Sequence, residues 1–164
     1  MHCLEYAAVT RRKSGGLSGY GFALLQPESG ALVATGCGPV QPGVTYSEAA
    51  VIGLLQGLRV AHQHGLQHLQ LQTDSSTVHR QVQRWAAAAA APSSLSSQLH
   101  AAAASGLSEL QQVQLREVER WGAARCREAA RVGAIFGSTA VAVSSSWMQR
   151  HRAITCSNCN MLTP

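Results

Sequence analysis

The sequence predicts a mixed α/β domain whose sheet starts with antiparallel strands and continues with strands that alternate with helices. Two observations support this fold class. Three β-prone segments joined by short turns come first, and a long amphipathic helix follows them. After that helix, short apolar segments alternate with helical segments. Strands that alternate with helices after an antiparallel start are typical of a mixed sheet with helices on both faces.

The turns between the first segments indicate the antiparallel start. A basic segment rich in glycine at residues 11–16 is typical of a flexible turn, and the segment from Pro27 to Gly30 is typical of a short hairpin connection. Successive strands joined in this way run antiparallel. The three strands are predicted at residues 2–9, 20–25 and 31–36.

Periodicity and end signals predict the remaining elements. Val51, Leu54 and Leu58 recur at helical spacing, and Gly65 suits the C-terminal end of that helix. The next segment alternates apolar and polar residues up to Asp74, the only aspartate in the chain. Helices are predicted at residues 45–64, 75–85, 93–105 and 123–132, and strands at residues 69–74 and 113–118.

Length and hydrophobicity indicate one domain with its own core. The chain has 164 residues, of which 46% are hydrophobic. We predict a domain over residues 1–134 and a C-terminal extension or docking tail over residues 135–164. Residues 135–143 are apolar and β-prone, and the sequence leaves open whether they complete this sheet or a neighbouring protein's.

The charge balance favours an anionic partner. The net charge is +5, from 13 Lys and Arg against 8 Asp and Glu, and Lys13 is the only lysine. Arginine forks suit phosphate, which favours an RNA or DNA partner. A genome rich in G and C, which prefers Arg and Ala codons, explains the same composition.

Five scattered cysteines, an odd number, do not form a disulfide framework, so an intracellular reducing compartment is expected. No apolar run reaches the ~18 residues of a membrane span, so no membrane association is expected. The start of the chain runs directly into strand-like sequence, without a recognisable secretory segment.

Several short motifs follow one another in the first half of the chain. They are Leu4-Glu5-Tyr6, Ser18-Gly19-Tyr20-Gly21, Thr45-Tyr46-Ser47-Glu48-Ala49, Thr73-Asp74-Ser75 and Arg80-Gln81-Val82, followed by Trp85. In this order and at these spacings they resemble ribonuclease H type 1, especially its plant and bacterial branch. The resemblance implies an RNase H-like, mixed five-stranded sheet: three antiparallel strands, then parallel additions.

The same resemblance concerns four carboxylates. The family cuts the RNA strand of an RNA–DNA hybrid with two Mg²⁺ ions about 4 Å apart, which these carboxylates hold. Glu48 and Asp74 match two of the four positions. Ala7 and Arg127 stand at the other two. A guanidinium in place of a carboxylate opposes a divalent cation, so the resemblance implies a site that has lost catalysis.

Each matching residue has a structural alternative. Thr45-x-x-Glu48 is also a capping box, and Asp74 also suits the N-cap of the helix that begins at Ser75. Glu5 lies two residues before Ala7 on the same strand face, so its longer side chain could supply a missing carboxylate.

Basic and aromatic residues are candidate nucleic-acid contacts. One group lies on a loop that faces the hybrid in the family, and another lies near the family's substrate groove, where an aromatic ring could stack on a base. A solvated loop and a ring packed beneath the sheet are the alternatives. The candidates are Arg11, Arg12, Lys13, Arg80, Arg84 and Trp85.

Near the C-terminus, His151, Cys156 and Cys159 have the spacing of three zinc ligands, with Cys126 or a partner's residue as a candidate fourth.

We therefore predict a catalytically degenerate RNase H-like domain that acts as an RNA-binding or scaffold component of a ribonucleoprotein. An organellar ribosome in a mitochondrion or plastid is the leading example, with neighbouring proteins docked through the tail and no cofactor. The alternative is an active Mg²⁺-dependent RNase H that uses Glu48 and Asp74. A protein–protein adaptor that binds no nucleic acid is a third hypothesis.

Overall fold

The computed structural model of this protein describes residues 1–9, 18–87, 95–118, 124–136 and 139–143, which form one mixed sheet and four helices. The strands are β1 (His2–Val9), β2 (Ser18–Leu25), β3 (Leu32–Val40), β4 (His68–Thr73), β5 (Gln112–Glu117) and β6 (Ala140–Val143). The helices are α1 (Tyr46–Gln63), α2 (Ser76–Ala87), α3 (Leu95–Ser108) and α4 (Ala124–Phe136).

The sheet has the strand order β5-β4-β1-β2-β3-β6. The strands β1, β2 and β3 form the predicted antiparallel set, while β4 and β5 add in parallel on the other side of β1. The predicted fold class is therefore confirmed. β1 lies between β4 and β2: its N-terminal half, His2 to Glu5, pairs with β4, while β2 pairs with it from Cys3 to Val9.

The prediction of five strands is wrong, because β6 adds a sixth. It pairs antiparallel with β3, with Val143 opposite Ala34, so residues 140–143 complete this sheet rather than a neighbour's. The predicted domain boundary after residue 134 falls inside α4. Residues 144–164 lie outside the described residues, so a docking role for them stays a prediction.

The two faces of β1 pack against different parts of the protein. Leu4, Tyr6 and Ala8 belong to the main hydrophobic core, together with Leu54 and Leu58 of α1. Each fully buried leucine of this kind stabilises the fold by roughly 2 kcal/mol. The alternate residues Glu5 and Ala7 point to the opposite face of the sheet, because side chains alternate along a strand.

Helix α4 covers that opposite face at unusually short range. A Cβ atom at Gly21 would collide with the carbonyl oxygen of Cys126, and one at Gly19 would collide with that of Ala130. Glycine at these two positions of β2 lets the backbone of α4 lie directly on the strand. This close approach fixes where residues 126 and 127 stand relative to β1.

The ends of α1 follow the predicted signals. Thr45 is the N-cap, and its capping box with Glu48 is complete. Gly65 has a φ of 67°, a conformation that glycine adopts without strain, just after the C-cap His64. Within the described ranges, no helix combines the length and hydrophobicity that crossing a bilayer requires.

Candidate functional site

Asp74 lies between the end of β4 and the start of α2, and its side chain is 1% exposed. One carboxylate oxygen, Oδ1, accepts a hydrogen bond of 2.9 Å from the hydroxyl of Tyr46. The other, Oδ2, accepts from Nε of Arg127 and forms an ion pair with its Nη2. Both oxygens of this buried carboxylate are therefore engaged by the protein itself.

These three side chains come from the beginnings of three helices. Tyr46 is the first residue of α1, Arg127 lies in the first turn of α4, and Asp74 lies two residues before the first residue of α2. The N-terminus of a helix carries a partial positive charge from its unpaired N–H groups. The site therefore combines one buried carboxylate with a phenol and a guanidinium that both lie in the first turn of a helix.

Tyr46 is fixed as a hydrogen-bond donor. Burial raises the pKa of its hydroxyl, and the nearby carboxylate of Asp74 raises this pKa further. The hydroxyl consequently keeps its proton over the physiological pH range and donates it to Oδ1. Tyr46 was not predicted as a site residue, because the motif that contains it was interpreted through Glu48; a phenol near the start of the predicted helix was the available signal.

Ala7 is fully buried and packs against Cys126 and Val118. The parallel register pairs Glu5 of β1 with Gln72 of β4, so Ala7 stands two residues further along, at the level of Asp74. The position at which the resemblance expects a carboxylate thus offers only a methyl group.

Glu48 forms part of the N-terminal cap of its own helix, α1. Its Oε2 accepts hydrogen bonds of 2.8 Å from both the backbone N–H and the hydroxyl of Thr45. In return, the N–H of Glu48 donates to Oγ1 of Thr45 at 3.3 Å. The capping interpretation of this pair is confirmed.

The prediction that Asp74 caps α2 is wrong. Oγ of Ser75 accepts the hydrogen bond from the N–H of Val78, at 3.3 Å, so Ser75 occupies the capping position. Asp74 is directed instead towards Tyr46 and Arg127, whose charged and hydroxyl donors satisfy it more fully than a single backbone N–H.

Glu5 is buried beneath α4, and its Oε2 has no hydrogen-bond partner among the described residues. Burial raises the pKa of the Glu5 carboxyl, and the positive charge of Arg125 opposes this rise. Both Glu5 and Asp74 add to the rise that burial causes in the pKa of the Cys126 thiol. A carboxyl whose neutral form is favoured is a poor ligand for Mg²⁺.

The arrangement does not fit a pair of Mg²⁺ ions. Magnesium requires several hard oxygen ligands, whereas position 7 is an alanine and both oxygens of Asp74 are already bonded within the protein. The part of the chain that the structure describes contains no group of three His, Cys, Asp or Glu side chains suited to a metal. Cys126, a candidate fourth zinc ligand, is fully buried.

The other predicted contacts are not gathered at Asp74. Arg80 and Arg84 are exposed one turn apart on α2, and Nε of Arg80 donates to the carbonyl of Ser76 at 3.3 Å. Trp85 is half-buried and packs against the main core. Residues 11–13 lie outside the described residues, as do His151, Cys156 and Cys159, so their predicted roles remain predictions.

Comparisons with known proteins agree with the fold. The sequence profile of a family described as reverse transcriptase-like matches residues 5–122. Ribonuclease H1 from Halobacterium salinarum superposes with a TM-score of 0.67 at 19% identity, covering 80% of this chain and 96% of that one. The N-terminal RNase H domain of Rv2228c from Mycobacterium tuberculosis, solved as a fusion with maltose-binding protein, gives a TM-score of 0.67 at 18% identity and coverages of 84% and 98%.

A third solved structure, LC11-RNase H1 in complex with an RNA/DNA hybrid, gives a TM-score of 0.68 at 16% identity, with 82% of this chain and 96% of that chain covered. At sequence identities this low, the structural similarity shows a shared fold and nothing more. The search of curated proteins finds no significant match.

Replacing Arg127 with alanine is expected to lower the free energy of unfolding by about 3 kcal/mol, because it leaves a buried carboxylate without its cation. Chemical denaturation followed by circular dichroism measures this loss. Arg131→Ala is the matched control on the same helix: its ion pair with Glu128 is well exposed, so a loss of at most about 0.5 kcal/mol is expected. Equal losses in both variants would contradict the buried pair.

Replacing Glu5 with glutamine is expected to stabilise the protein at neutral pH. The pKa of Glu5 is higher in the folded protein than the value of 4.5 in the unfolded chain, so the folded state binds this proton more tightly. The resulting contribution to the free energy of unfolding is complete below pH 4.5 and is lost as the pH rises through the folded pKa. Glutamine imitates the protonated form at every pH.

The gain in unfolding free energy should therefore be absent near about pH 4 and should grow towards about pH 7, as measured by urea denaturation across this range. Glu28→Gln, at an exposed turn, is the control and should change stability little. A gain of Glu5→Gln that does not depend on pH would refute the role of burial.

Proposed function

Because this chain belongs to the reverse transcriptase-like family and has the ribonuclease H fold, we propose that it binds nucleic acid without cutting it. In this proposal it serves as an RNA-binding or scaffold component of a ribonucleoprotein, with a mitochondrial or plastid ribosome as the leading candidate. The observation that supports the loss of catalysis is the ion pair between Arg127 and the buried carboxylate of Asp74.

A metal ion at Asp74 would have to displace an arginine side chain. A Mg²⁺ ion that approached Asp74 would compete with a guanidinium that the backbone of α4 holds in place. A displaced Arg127 would leave its charge without the partner that compensates for its desolvation, which is strongly unfavourable. No carboxylate at position 7 is present to offset that cost.

The support for a nucleic-acid partner comes from charge and from the similar structures. The chain carries a net charge of +5, and Arg80 and Arg84 are exposed on α2. Arginine side chains of this kind contact phosphate groups independently of sequence. One structure with the same fold was solved in complex with an RNA/DNA hybrid.

The scaffold role rests on the C-terminal residues. The chain continues beyond β6 with residues 144–164, and we propose that this tail docks on neighbouring proteins of the particle. His151, Cys156 and Cys159 offer three ligands for a zinc ion that a partner's residue would complete.

An active metal-dependent ribonuclease H is the second candidate, and one observation favours it. Oε2 of Glu5 is buried and lacks a partner within the described ranges, on the same sheet face as Ala7. A metal ion bound there would satisfy such an oxygen, and its charge would favour the ionised form of the carboxyl over the neutral form that burial favours. Activity measurements separate the two candidates directly.

The purified full chain is expected to leave a labelled RNA–DNA hybrid intact in the presence of Mg²⁺ or Mn²⁺. The reason is that Arg127 already neutralises Asp74 and that Ala7 supplies no ligand. Gel electrophoresis of the products measures this, with an active ribonuclease H as the positive control. Cleavage that disappears in both Glu48→Gln and Asp74→Asn would establish the second candidate.

The ribonucleoprotein assignment predicts that the tagged full chain co-purifies with RNA or a large particle and that raising the salt concentration releases it, because phosphate contacts weaken with salt. Sucrose-gradient sedimentation measures the association. Charge reversal at Arg80 and Arg84 should weaken it. A free monomer at every salt concentration would contradict the proposal, and association that survives the charge reversal would indicate a protein–protein adaptor.

A further inference from the structure

The contacts of Arg127 suggest what replaces the metal ions, provided that the proposed binding of nucleic acid holds. We propose that Arg127, anchored on Asp74, binds a backbone phosphate of the bound nucleic acid, so that binding requires no divalent ion. The guanidinium would supply, from within the chain, the positive charge that a metal-dependent site takes from solution.

The orientation of the Arg127 guanidinium leaves some of its N–H groups available to donate to a phosphate. Arginine has five N–H donors in a planar fork. Nε and Nη2 of Arg127 are directed at Oδ2 of Asp74, and no acceptor among the described residues bonds Nη1. The Arg127 side chain is 20% exposed whereas that of Asp74 is 1% exposed. The carboxylate is thus the buried base of the site, and the arginine is the part that a ligand reaches.

The acidic side chains of Asp74 and Glu48 are both already engaged. The carboxylate of Asp74 is paired with Arg127, and Oε2 of Glu48 is bonded to the backbone N–H and the hydroxyl of Thr45. Arg125 points away, with Nη1 donating to the carbonyl of Gly30 at 3.0 Å. Tyr46 and Arg127 also lie in the first turns of α1 and α4, where the unpaired N–H groups of a helix favour a negative charge.

Anchoring makes the arginine an effective ligand for phosphate. A free arginine side chain loses conformational freedom when it binds, whereas Arg127 is already held by its ion pair and by Tyr46, which fixes the other oxygen of Asp74. The anchored guanidinium therefore presents its remaining N–H groups in a fixed direction, and a charge-assisted bond to phosphate is among the stronger hydrogen bonds in proteins.

Fluorescence anisotropy with a fluorescein-labelled RNA–DNA hybrid, and with the RNA strand alone, tests the proposal in the full chain. The dissociation constant is expected to be the same in EDTA and in Mg²⁺. Arg127→Gln by itself would leave Asp74 buried without a cation, so it is not a clean comparison.

The matched pair is Asp74→Asn against the double variant Asp74→Asn/Arg127→Gln, because neither contains an unpaired buried carboxylate. Asp74→Asn keeps a side-chain oxygen that can accept a hydrogen bond from Arg127 and removes the negative charge that repels a phosphate, so it is expected to bind at least as tightly as the unchanged protein. The double variant should bind about tenfold more weakly than Asp74→Asn, with a slope of log affinity against log salt that is smaller by about one. Arg131→Gln, on the exposed side of α4, should leave the affinity unchanged.

The outcomes distinguish this proposal from the proposed function. If the hybrid or RNA binds only in the presence of Mg²⁺, or if the double variant binds as tightly as Asp74→Asn, Arg127 does not hold a phosphate, and nucleic-acid binding itself still stands. If neither probe binds the unchanged protein in EDTA or in Mg²⁺, the proposed function is wrong and this inference fails with it. A melting temperature for each variant confirms that it is folded.

Discussion

The ion pair between Arg127 and Asp74 is the contact on which the properties of this site depend. It links α4 to the end of β4, and Tyr46 connects the same carboxylate to α1. A carboxylate that is 1% exposed must be neutralised or fully hydrogen-bonded. In a metal-binding site the bound ions neutralise the carboxylate, and they can dissociate. Here the neutralising charge is the guanidinium of Arg127, which is part of the chain and cannot dissociate.

The position of that counter-charge follows from the way α4 meets the sheet. Gly19 and Gly21 allow the helix backbone to touch β2, and a methyl group at either position would force the helix away. Cys126 then packs on Ala7, and the next residue, Arg127, reaches Asp74. Small residues in the middle of the sheet thus decide which side chain of α4 stands at the end of β4.

The sequence predicted the elements whose signals are local and missed the contacts that are not. The capping box of Thr45 and Glu48 and the glycine after α1 are set within a few residues of the chain, and both were predicted correctly. The pairing of β6 with β3 is long-range, and four small apolar residues contain no information about their partner. The resemblance placed Arg127 in the same site as Asp74, but the bonds of Asp74 to Arg127 and Tyr46 were missed, since both partners are distant in sequence.

The proposed loss of catalysis and the proposed binding of nucleic acid are compatible, because they depend on different charges. Four carboxylates without metal ions would repel a polyanion, so a metal-dependent site needs its ions for affinity as well as for chemistry. By the resemblance to ribonuclease H, Ala7 stands in place of one of those carboxylates and Arg127 in place of another. The two substitutions lower the repulsion between this site and a phosphate, which is the condition that the proposed binding without a divalent ion requires.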